Sequence, residues 1–435
     1  MEAVNSFLSG VLIPLVLLAV GFYFACRTVP LFLCHLRQVF RGLRGATAAG
    51  EGSPLRALSV ALAGTLGVGN IAGVAIAVTA GGAGAVFWLW VAAFLAMPLK
   101  YAEVVLAQRF RVFKNGRVTG GAMYYIKEAF GGRVGRFFAA FFAVLCICCA
   151  LTLGSVVQAS AAAEAMASVF RLPPLFLGAM LAAFMLFVLA RGSERVTAVC
   201  AGLVPFACVL FSVASLAVLF LARATLPAAF AAIFKEAFTA RGVGGGVLGV
   251  LGSRALRFGV ARGIISNEAG CGTAPIAHAA ANVKGPAEQG LFGILEVFVD
   301  TVLLCTMTAL VLLVSGTGEV AGGGVATALS AFGAVLGPIA PPVLALCILL
   351  FAVATLLCWA HYGRESLAYL TESKHAARVL SLCLSLAALL GAVAAPAFVW
   401  GITDLTVSLM VLVNITALLF LRQTVVLETK RYFDK

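Results

Sequence analysis

The chain has 435 residues, of which 63% are hydrophobic and 11% are charged, and its mean hydropathy is +1.09. Soluble proteins average about 45–50% apolar and 25% charged residues, so this composition excludes a soluble domain with one anchor and indicates an all-α integral membrane protein. The formal net charge of +13 comes from basic residues in short loops between apolar runs, which favours membrane topology over nucleic-acid binding as its cause.

Apolar runs near the 20-residue length that crosses a bilayer recur along the chain and predict about eleven transmembrane helices. No linker is long enough to separate domains, so we expect one transmembrane domain over 1–435. The segment between the third and fourth runs, which contains Lys127, is expected at the inner surface as an amphipathic or re-entrant piece. The predicted helices cover about 10–32, 57–79, 84–108, 135–166, 173–191, 196–222, 243–282, 289–314, 340–370, 376–395 and 398–421.

The basic residues also predict the orientation of the chain. If the N-terminus lies outside and the helices alternate, the inner loops receive most of the lysines and arginines, as the positive-inside rule requires. We therefore expect an outer N-terminus and a cytoplasmic C-terminus. The first apolar run lacks the features of a signal peptide and is expected to be retained.

The second predicted helix contains the stretch GTLGVGNIAGVA, from Gly64 to Ala75, with four glycines together with Thr65 and Asn70. Glycine costs about 1 kcal/mol per helix position relative to alanine, and unpaired backbone groups in lipid cost several kcal/mol each. A membrane helix with this sequence is expected to break, and the broken backbone is expected to line a site. The alternative is that the glycines only allow tight helix packing.

The seventh predicted helix is too polar in its second half to be one continuous lipid-facing helix. Its Asn267, Glu268 and His278 must face protein, water or the membrane surface. The two interrupted helices are five apart, and an odd offset reverses the direction of crossing, which predicts two inverted units and a secondary transporter with its site near the bilayer midplane. These units would cover 57–222 and 243–421, after an extra helix over 10–32.

The chemistry of an unwound membrane helix explains why such a site forms there. Amides at one half-helix N-terminus carry positive partial charge, and freed carbonyls at the other half's C-terminus carry negative partial charge. One backbone segment can therefore hold a carboxylate and a cation together. In the second predicted helix, Gly67 and Gly69 permit close approach to the backbone, and Thr65 and Asn70 add side-chain donors and acceptors.

Long distinctive segments recur along the chain, among them LAGTLGVGNIAGVAIAV, GGAMYYI, GVARGIISNEAGCGTAPIAHAAA, VFVDTVLLCTMTALVLL and FAVATLLCWAHYGRESLAYL. They resemble the alanine/glycine:cation symporter family of bacterial and archaeal membranes, within the amino acid-polyamine-organocation superfamily, over nearly the whole chain. The resemblance implies the leucine-transporter fold, in which one extra helix precedes a five-plus-five inverted repeat of helices 2–6 and 7–11. It further implies a prokaryotic plasma-membrane transporter that is not an enzyme and has no cofactor.

The resemblance also implies a substrate pocket, in which the backbone of the second helix binds the amine and carboxylate of an amino acid. An indole wall beside that pocket would limit the substrate side chain to about hydrogen or methyl. The resemblance places Gln158 and Trp359 at this pocket. Gln158 could instead hold helices together, and Trp359 could be an interfacial anchor. The backbone residues are Thr65, Gly67, Gly69 and Asn70, and the matching residues elsewhere are Gln158, Ile265, Thr355 and Trp359.

For the coupling ion, the resemblance implies sodium held by the carbonyls of Ala63 and Leu66 and the hydroxyl of Thr355. The chain departs from the family's pattern beside that hydroxyl, where Ala354 replaces a serine and removes one oxygen ligand. The other departures are Ser155 and Ser160 in place of asparagines, and Val407, Ser408 and Val413 in place of an Asn-Gly pair and a proline. All of these departures bear on sodium coupling and substrate preference more than on the fold.

Polar residues within the membrane are candidates for gating or proton relay. Asn267 and Glu268 could carry protons, bind the amine or cap the half-helix that follows them, and capping is the interpretation we favour. Asp300 and Glu296 could relay protons or pair with arginines of the seventh predicted helix. His278 is expected to be a packed histidine rather than a ligand.

The expected function is secondary symport of a small neutral amino acid, L-alanine or glycine, with sodium, by alternating access around the two broken helices. Proton coupling, and serine or D-alanine as the substrate, are the alternatives within transport. A passive channel, or an intramembrane enzyme using Glu268 with His278, is a remote alternative. The expected partners are the amino acid, the cation and the lipid bilayer, without nucleic acid, and the sequence does not predict the oligomeric state.

Overall fold

The computed structural model describes residues 5, 7–45, 52–114, 116–238, 254–317, 324–394 and 397–434. Across these ranges the chain is almost entirely helical, and the only sheet among them is an antiparallel hairpin of β1 (Val112–Lys114) and β2 (Arg117–Thr119). The helices of the first half are α1 (Ile13–Cys34), α2 (Leu36–Gly45), α3 (Pro54–Thr65), α4 (Ala72–Gly81), α5 (Gly84–Arg109), α6 (Ala122–Phe130), α7 (Gly132–Leu151), α8 (Gln158–Phe170), α9 (Pro174–Leu189), α10 (Ser193–Leu221) and α11 (Leu226–Ala237).

The second half continues with helices of the same kind, and several of them are joined by short turns of tighter or wider winding. The helices are α12 (Arg254–Asn267), α13 (Ala274–His278), α14 (Pro286–Val297), α15 (Thr306–Val314), α16 (Gly324–Leu336), α17 (Ala340–Leu370), α18 (Lys374–Val393), α19 (Ala397–Phe420) and α20 (Arg422–Phe433). In the described residues, π-helical winding occurs at Leu8–Leu12, Thr152–Val157 and Phe298–Cys305.

Eight helical stretches of the described chain are long and apolar enough to cross a membrane, or nine if the bent pair Pro54–Thr65 and Val68–Gly81 is one span. The protein is therefore a multi-pass, all-α membrane protein. The length and composition of the described helices do not confirm the predicted number of about eleven transmembrane helices. The apolar helix Pro174–Leu189 is shorter than a full span, and α12 is short and rich in charge.

Both predicted breaks are present. After α3 ends at Thr65, a 3₁₀ turn covers Val68–Asn70, and the second half of the helix leaves at 66° to the first. Between α12 and α13 the backbone takes left-handed φ values at Glu268, Gly270 and Gly272, which end the first half-helix. The start of the seventh predicted helix, over 243–253, lies outside the described residues, and the inverted relation of the two units stays a prediction.

Other elements differ from the sequence expectation. The basic segment expected as a loop after the first helix is helical, because α1 continues to Cys34 and the arginines of α2 recur on one face of an amphipathic helix. The segment around Lys127, expected as an amphipathic or re-entrant piece, forms the β1–β2 hairpin and the short helix α6, and its place at the inner surface stays a prediction. A further apolar helix, α16, precedes α17 and was not predicted.

Two unbroken helices, α5 and α17, hold the broken ones in place. The first break is anchored because α3 packs against α10 and α17, while α12 and α14 both pack against α5. The contact between α12 and α5 is close because a Cβ on Gly259 would overlap the backbone of Ala85. Small residues that let backbones approach in this way are the usual means of packing membrane helices.

Candidate substrate and cation site

The first break leaves its backbone groups in a buried environment. Leu66 is fully buried and Val68 is 6% exposed, so their polar backbone atoms need partners other than water. The N–H of Gly67 turns back to the carbonyl of Thr65 at 2.9 Å, whereas the N–H of Val68 donates to Oε1 of Gln158 at 3.1 Å. The glutamine of α8 thus binds the unwound backbone directly.

Gly67 fits between two side chains from different helices. A Cβ at this position would lie 2.8 Å from Oε1 of Gln158 and 3.1 Å from Oγ1 of Thr355, so only a residue without a side chain allows this approach. The Thr355 hydroxyl lies 3.3 Å from the carbonyl oxygen of Leu66 and 3.0 Å from that of Phe351. Two of the predicted cation ligands, from α17 and the first break, are therefore adjacent.

Trp359 lies one turn beyond Thr355 on α17 and is 2% exposed. A Cβ on Gly154 would overlap the indole side chain, so the glycine in the π-helical turn of the α7–α8 helix makes room for it. The indole N–H is buried and has no hydrogen-bond partner among the described residues, which is unusual for a buried tryptophan. Trp359 is therefore a buried wall rather than an interfacial anchor.

The remaining predicted pocket residues have varied environments. The Thr65 hydroxyl lies 3.4 Å from the carbonyl of Leu62 in its own helix, and Ala63 is fully buried. A Cβ on Gly69 would meet no other atom within 4 Å, so open space borders the break there. The side chain of Ile265 lies outside the described part of the chain, although its backbone belongs to α12.

Asp300 connects the two broken helices. Its carboxylate accepts hydrogen bonds from Nδ2 of Asn70 at 2.7 Å, Oγ of Ser266 at 2.9 Å and Oγ1 of Thr301 at 2.6 Å. Asn70 belongs to the first break and Ser266 to the end of α12. The carboxylate is fully buried, and the Oδ1 atom of Asn70 has no hydrogen-bond partner in the described residues. Of the two alternatives for Asp300, pairing with an arginine of the seventh helix is wrong, since neutral donors satisfy it, and proton relay stays a prediction.

Two predicted pocket or relay residues lie at π-helical segments. Gln158 directly follows Thr152–Val157, and Asp300 lies within Phe298–Cys305. A π-helical turn inserts an extra residue into a helix and rotates the side chains that follow, and such turns are frequent at functional sites. This winding aims both polar side chains at the broken helices.

The second break is stabilised by its own side chains. Oδ1 of Asn267 accepts the N–H of Ala269 at 3.0 Å, and Oε2 of Glu268 accepts the hydroxyl of Thr273 at 2.7 Å, immediately before α13. Glu268 holds φ at 51°, which is uncommon for a residue with a side chain. Neither contact is to an N–H group of α13, so capping of that half-helix by Asn267 and Glu268 stays a prediction.

A buried ionic cluster anchors α13 to α5 and α14. Lys100 lies 3.3 Å from Glu296, whose other oxygen lies 3.1 Å from Nε2 of His278, and all three side chains are fully buried. His278 also contacts Gln289 at 2.7 Å, so it is a packed histidine as expected. Of the two alternatives for Glu296, pairing with arginines of the seventh helix is wrong, because Lys100 is its partner, and proton relay stays a prediction.

A neighbouring buried carboxylate, Glu103, holds the unwound segment itself. Its Oε1 accepts the N–H of Gly272 at 2.8 Å and Nδ2 of Asn414 at 2.6 Å, and Asn414 also donates to the carbonyl of Gly270 at 2.8 Å. Sequence reasoning missed both Glu103 and Lys100. Their signal was available, because LKYAE places two charges inside an apolar run, where ionisable residues are costly and normally functional.

Two cavities lie on opposite sides of the second break. On the side of the β1–β2 hairpin, a cavity of about 390 Å³ lies between the ends of α3, α10, α13 and α17. Its polar lining includes Arg56, Arg117, His361 and Glu365.

Nearby on the surface, the 2.6 Å contact between Lys114 and Glu372 raises the pKa of the lysine and lowers the pKa of the carboxyl, because each charge hydrogen-bonds the other.

A smaller cavity of about 70 Å³ lies on the far side of the second break, between α1, α12 and α19. Trp359 and Glu268 line it, whereas Gln158, Gly67 and Thr355 do not. The second broken helix therefore has a larger cavity on the hairpin side and a smaller one on the opposite side. This is the arrangement that a site accessible from alternate ends requires.

The sequence profile of the sodium:alanine symporter family matches residues 1–435. The chain is 36% identical to the sodium/alanine symporter AgcS of Methanococcus maripaludis, with 99% of this chain and 96% of that protein covered. It is 33% identical to the putative sodium/proton-dependent alanine carrier protein YrbD of Bacillus subtilis, with 96% of this chain and 88% of that protein covered. Similarity thus extends over nearly the full length of these relatives.

Among solved structures, a mutant of the Eremococcus coleocola manganese transporter is similar, with a TM-score of 0.55 over 84% of this chain and 75% of that one. The sequences are 14% identical, so the similarity concerns the fold alone. The fold described above is therefore similar to that of this solved membrane transporter.

Proposed function

Because the chain belongs to the sodium:alanine symporter family, we propose that it imports L-alanine or glycine together with sodium. It is a membrane transporter rather than an enzyme, and amino-acid symport with a cation is the activity of its family. The choice of a small substrate and of sodium is the proposal made for this chain. Cation and amino acid would bind adjacent groups of the broken helix between α3 and α4.

The observation that carries the proposal is the convergence of Gln158 and Thr355 on the backbone at Leu66–Val68. The Leu66 carbonyl and the Thr355 hydroxyl, 3.3 Å apart, offer adjacent oxygens to a cation, and the Ala63 carbonyl is the third proposed ligand. The Val68 N–H, now bound to Gln158, is a donor of the kind that a substrate carboxylate needs.

Selectivity for a small side chain would come from the walls of the pocket. Trp359 is buried beside Gly154, and an indole in that position leaves little room for a substrate larger than alanine. Its unpaired indole N–H is also a donor that a bound polar ligand could satisfy. The proposed substrate contacts are Thr65, Gly67, Gly69, Asn70, Gln158, Ile265, Thr355 and Trp359.

Transport would proceed by alternating access. The hairpin-side cavity is the larger of the two, and the inner halves of the broken helices, α3 and α13, line it. With basic loops on the cytoplasmic side of the plasma membrane, this cavity would open to the cytoplasm and the smaller one to the outside. The N-terminus would then lie outside and the C-terminus in the cytoplasm. Asp300, which bonds Asn70 and Ser266, would couple the two breaks during the change.

The test is uptake of radiolabelled alanine by purified protein in proteoliposomes, with an inward sodium gradient or with sodium replaced by potassium. We expect uptake to require sodium, to be competed by glycine and to be lost in Gln158→Ala. The matched control is Gln423→Ala, since Gln423 is exposed and has no part in the site. Uptake that is equal with and without a sodium gradient would refute sodium symport.

Proton coupling is the second candidate, and the residue at position 354 favours it. Ala354 offers no hydroxyl beside Thr355, so the proposed sodium site has one side-chain oxygen fewer than its family pattern. The buried carboxylates Glu268, Glu296 and Asp300 are the groups that could carry a proton instead. Uptake driven by an inward proton gradient in sodium-free buffer, with serine and D-alanine as competitors, distinguishes this candidate from sodium symport.

A further inference from the structure

The cavity on the far side of the second break contains opposite charges in an otherwise apolar lining. Arg262 projects from α12 and Asp404 from α19, and both line the cavity together with Trp400 and Thr403. Trp359 forms part of its wall next to the proposed substrate pocket. The charged side chains therefore lie on different helices around one space.

These two charges lack direct partners. Arg262 and Asp404 are both only partly exposed, and within the described chain neither forms a hydrogen bond or an ion pair, although they attract each other electrostatically. Glu268, in contrast, accepts the Thr273 hydroxyl. Ionisable side chains within a membrane protein are costly and are normally paired, or they bind a substrate. An open arginine and an open aspartate across one cavity are complementary to a molecule that carries both charges.

The size of the cavity restricts that molecule. A water needs about 10–15 Å³ of such space, so 70 Å³ holds about five to seven water-sized groups. Alanine has six non-hydrogen atoms, which matches. The guanidinium is suited to bidentate binding of a carboxylate, and Asp404 is an acceptor for an ammonium group.

We propose that this cavity is a second binding site for a small zwitterionic amino acid, with its carboxylate on Arg262 and its ammonium group on Asp404. The site is separate from the first because Gln158, Gly67 and Thr355 do not line it, and Trp359 borders it. The inference that the transported amino acid enters through this site rests on the proposed function. The inference that a zwitterion binds there does not depend on the proposed function.

The experiment measures equilibrium binding of radiolabelled alanine to the purified full chain in detergent. We expect two alanines per wild-type protein, and one in Gln158→Ala, in Arg262→Gln and in Asp404→Asn. Arg262→Lys, which keeps the charge but not the bidentate geometry, should retain the second site with affinity reduced about tenfold. Propionate and alaninamide, which each lack one charge, should not displace the alanine left in Gln158→Ala.

The control variant is Thr416→Val, which changes an uncharged group of the same helix α19 outside the cavity and should still bind two alanines. One alanine per wild-type protein, with unchanged affinity in both charge-removing variants, would overturn the proposal. The proposal would also be overturned if the charge-exchanged variant Arg262→Asp/Asp404→Arg took up alanine at the wild-type rate while binding a single alanine. The two charges would then form a contact that closes the cavity. Loss of sodium-driven uptake with two alanines still bound would refute the proposed function alone.

Discussion

Replacing Gly67 by alanine tests the geometry of the first break. Gly67 has φ −113° and ψ −159°, a backbone conformation that alanine adopts without strain. The new methyl group would nevertheless lie 2.8 Å from Oε1 of Gln158 and 3.1 Å from Oγ1 of Thr355. Both side chains must move, and the hydrogen bond from the Val68 N–H to Gln158 is the first contact to be lost.

The size of the effect follows from the displacement of Gln158, which is a proposed substrate contact. A buried polar group of the substrate left without that partner costs about 1–3 kcal/mol, and every 1.4 kcal/mol is about a factor of ten in affinity. We therefore expect alanine binding to weaken by about 5- to 150-fold in Gly67→Ala. The matched control is Gly73→Ala in α4, where a Cβ would meet no other atom within 4 Å. That change should leave affinity within about twofold and should stabilise the helix by up to about 1 kcal/mol.

The assay is alanine binding in detergent together with initial rates of uptake in proteoliposomes, for the wild type and both variants. Size-exclusion profiles and thermal unfolding midpoints show that each variant is folded. Equal affinities in Gly67→Ala and Gly73→Ala, with both proteins folded, would refute the role given to the contact between Gly67 and Gln158.

Three further outcomes are expected. Lys100→Met removes the ammonium partner of the buried Glu296 carboxylate and should destabilise the protein by about 3–5 kcal/mol. The thermal unfolding midpoint should fall, and the double variant Lys100→Met/Glu296→Gln should partly restore it. An undiminished midpoint in Lys100→Met contradicts this. Asp300→Asn replaces an acceptor of three hydrogen bonds and should reduce uptake at least about tenfold, whereas wild-type uptake would remove Asp300 from the coupling between breaks. Ala354→Ser supplies a hydroxyl beside Thr355 and should lower the sodium concentration for half-maximal uptake, and no change in that concentration would show that sodium binds elsewhere.

The breaks were predictable because their causes are local. The glycines of GTLGVGNIAGVA and the polar run ISNEAG lie inside segments that must otherwise be helical in lipid, so the chain weakens its own helix where they occur. The contacts of Asn267 with Ala269 and of Glu268 with Thr273 are equally local, spanning a few residues. The resemblance added Gln158 and Thr355, which the structure brings together at Gly67.

The sequence by itself determined that this is a membrane protein of apolar helices with two weak points, because hydropathy and glycine content act over a single segment. Only the tertiary structure decided which partners meet across segments. Asp300 bonds Asn70, 230 residues away, and Lys100 pairs with Glu296 instead of an arginine of the seventh helix. Such contacts depend on which helix faces meet and on π-helical turns that rotate them, and no local pattern specifies either.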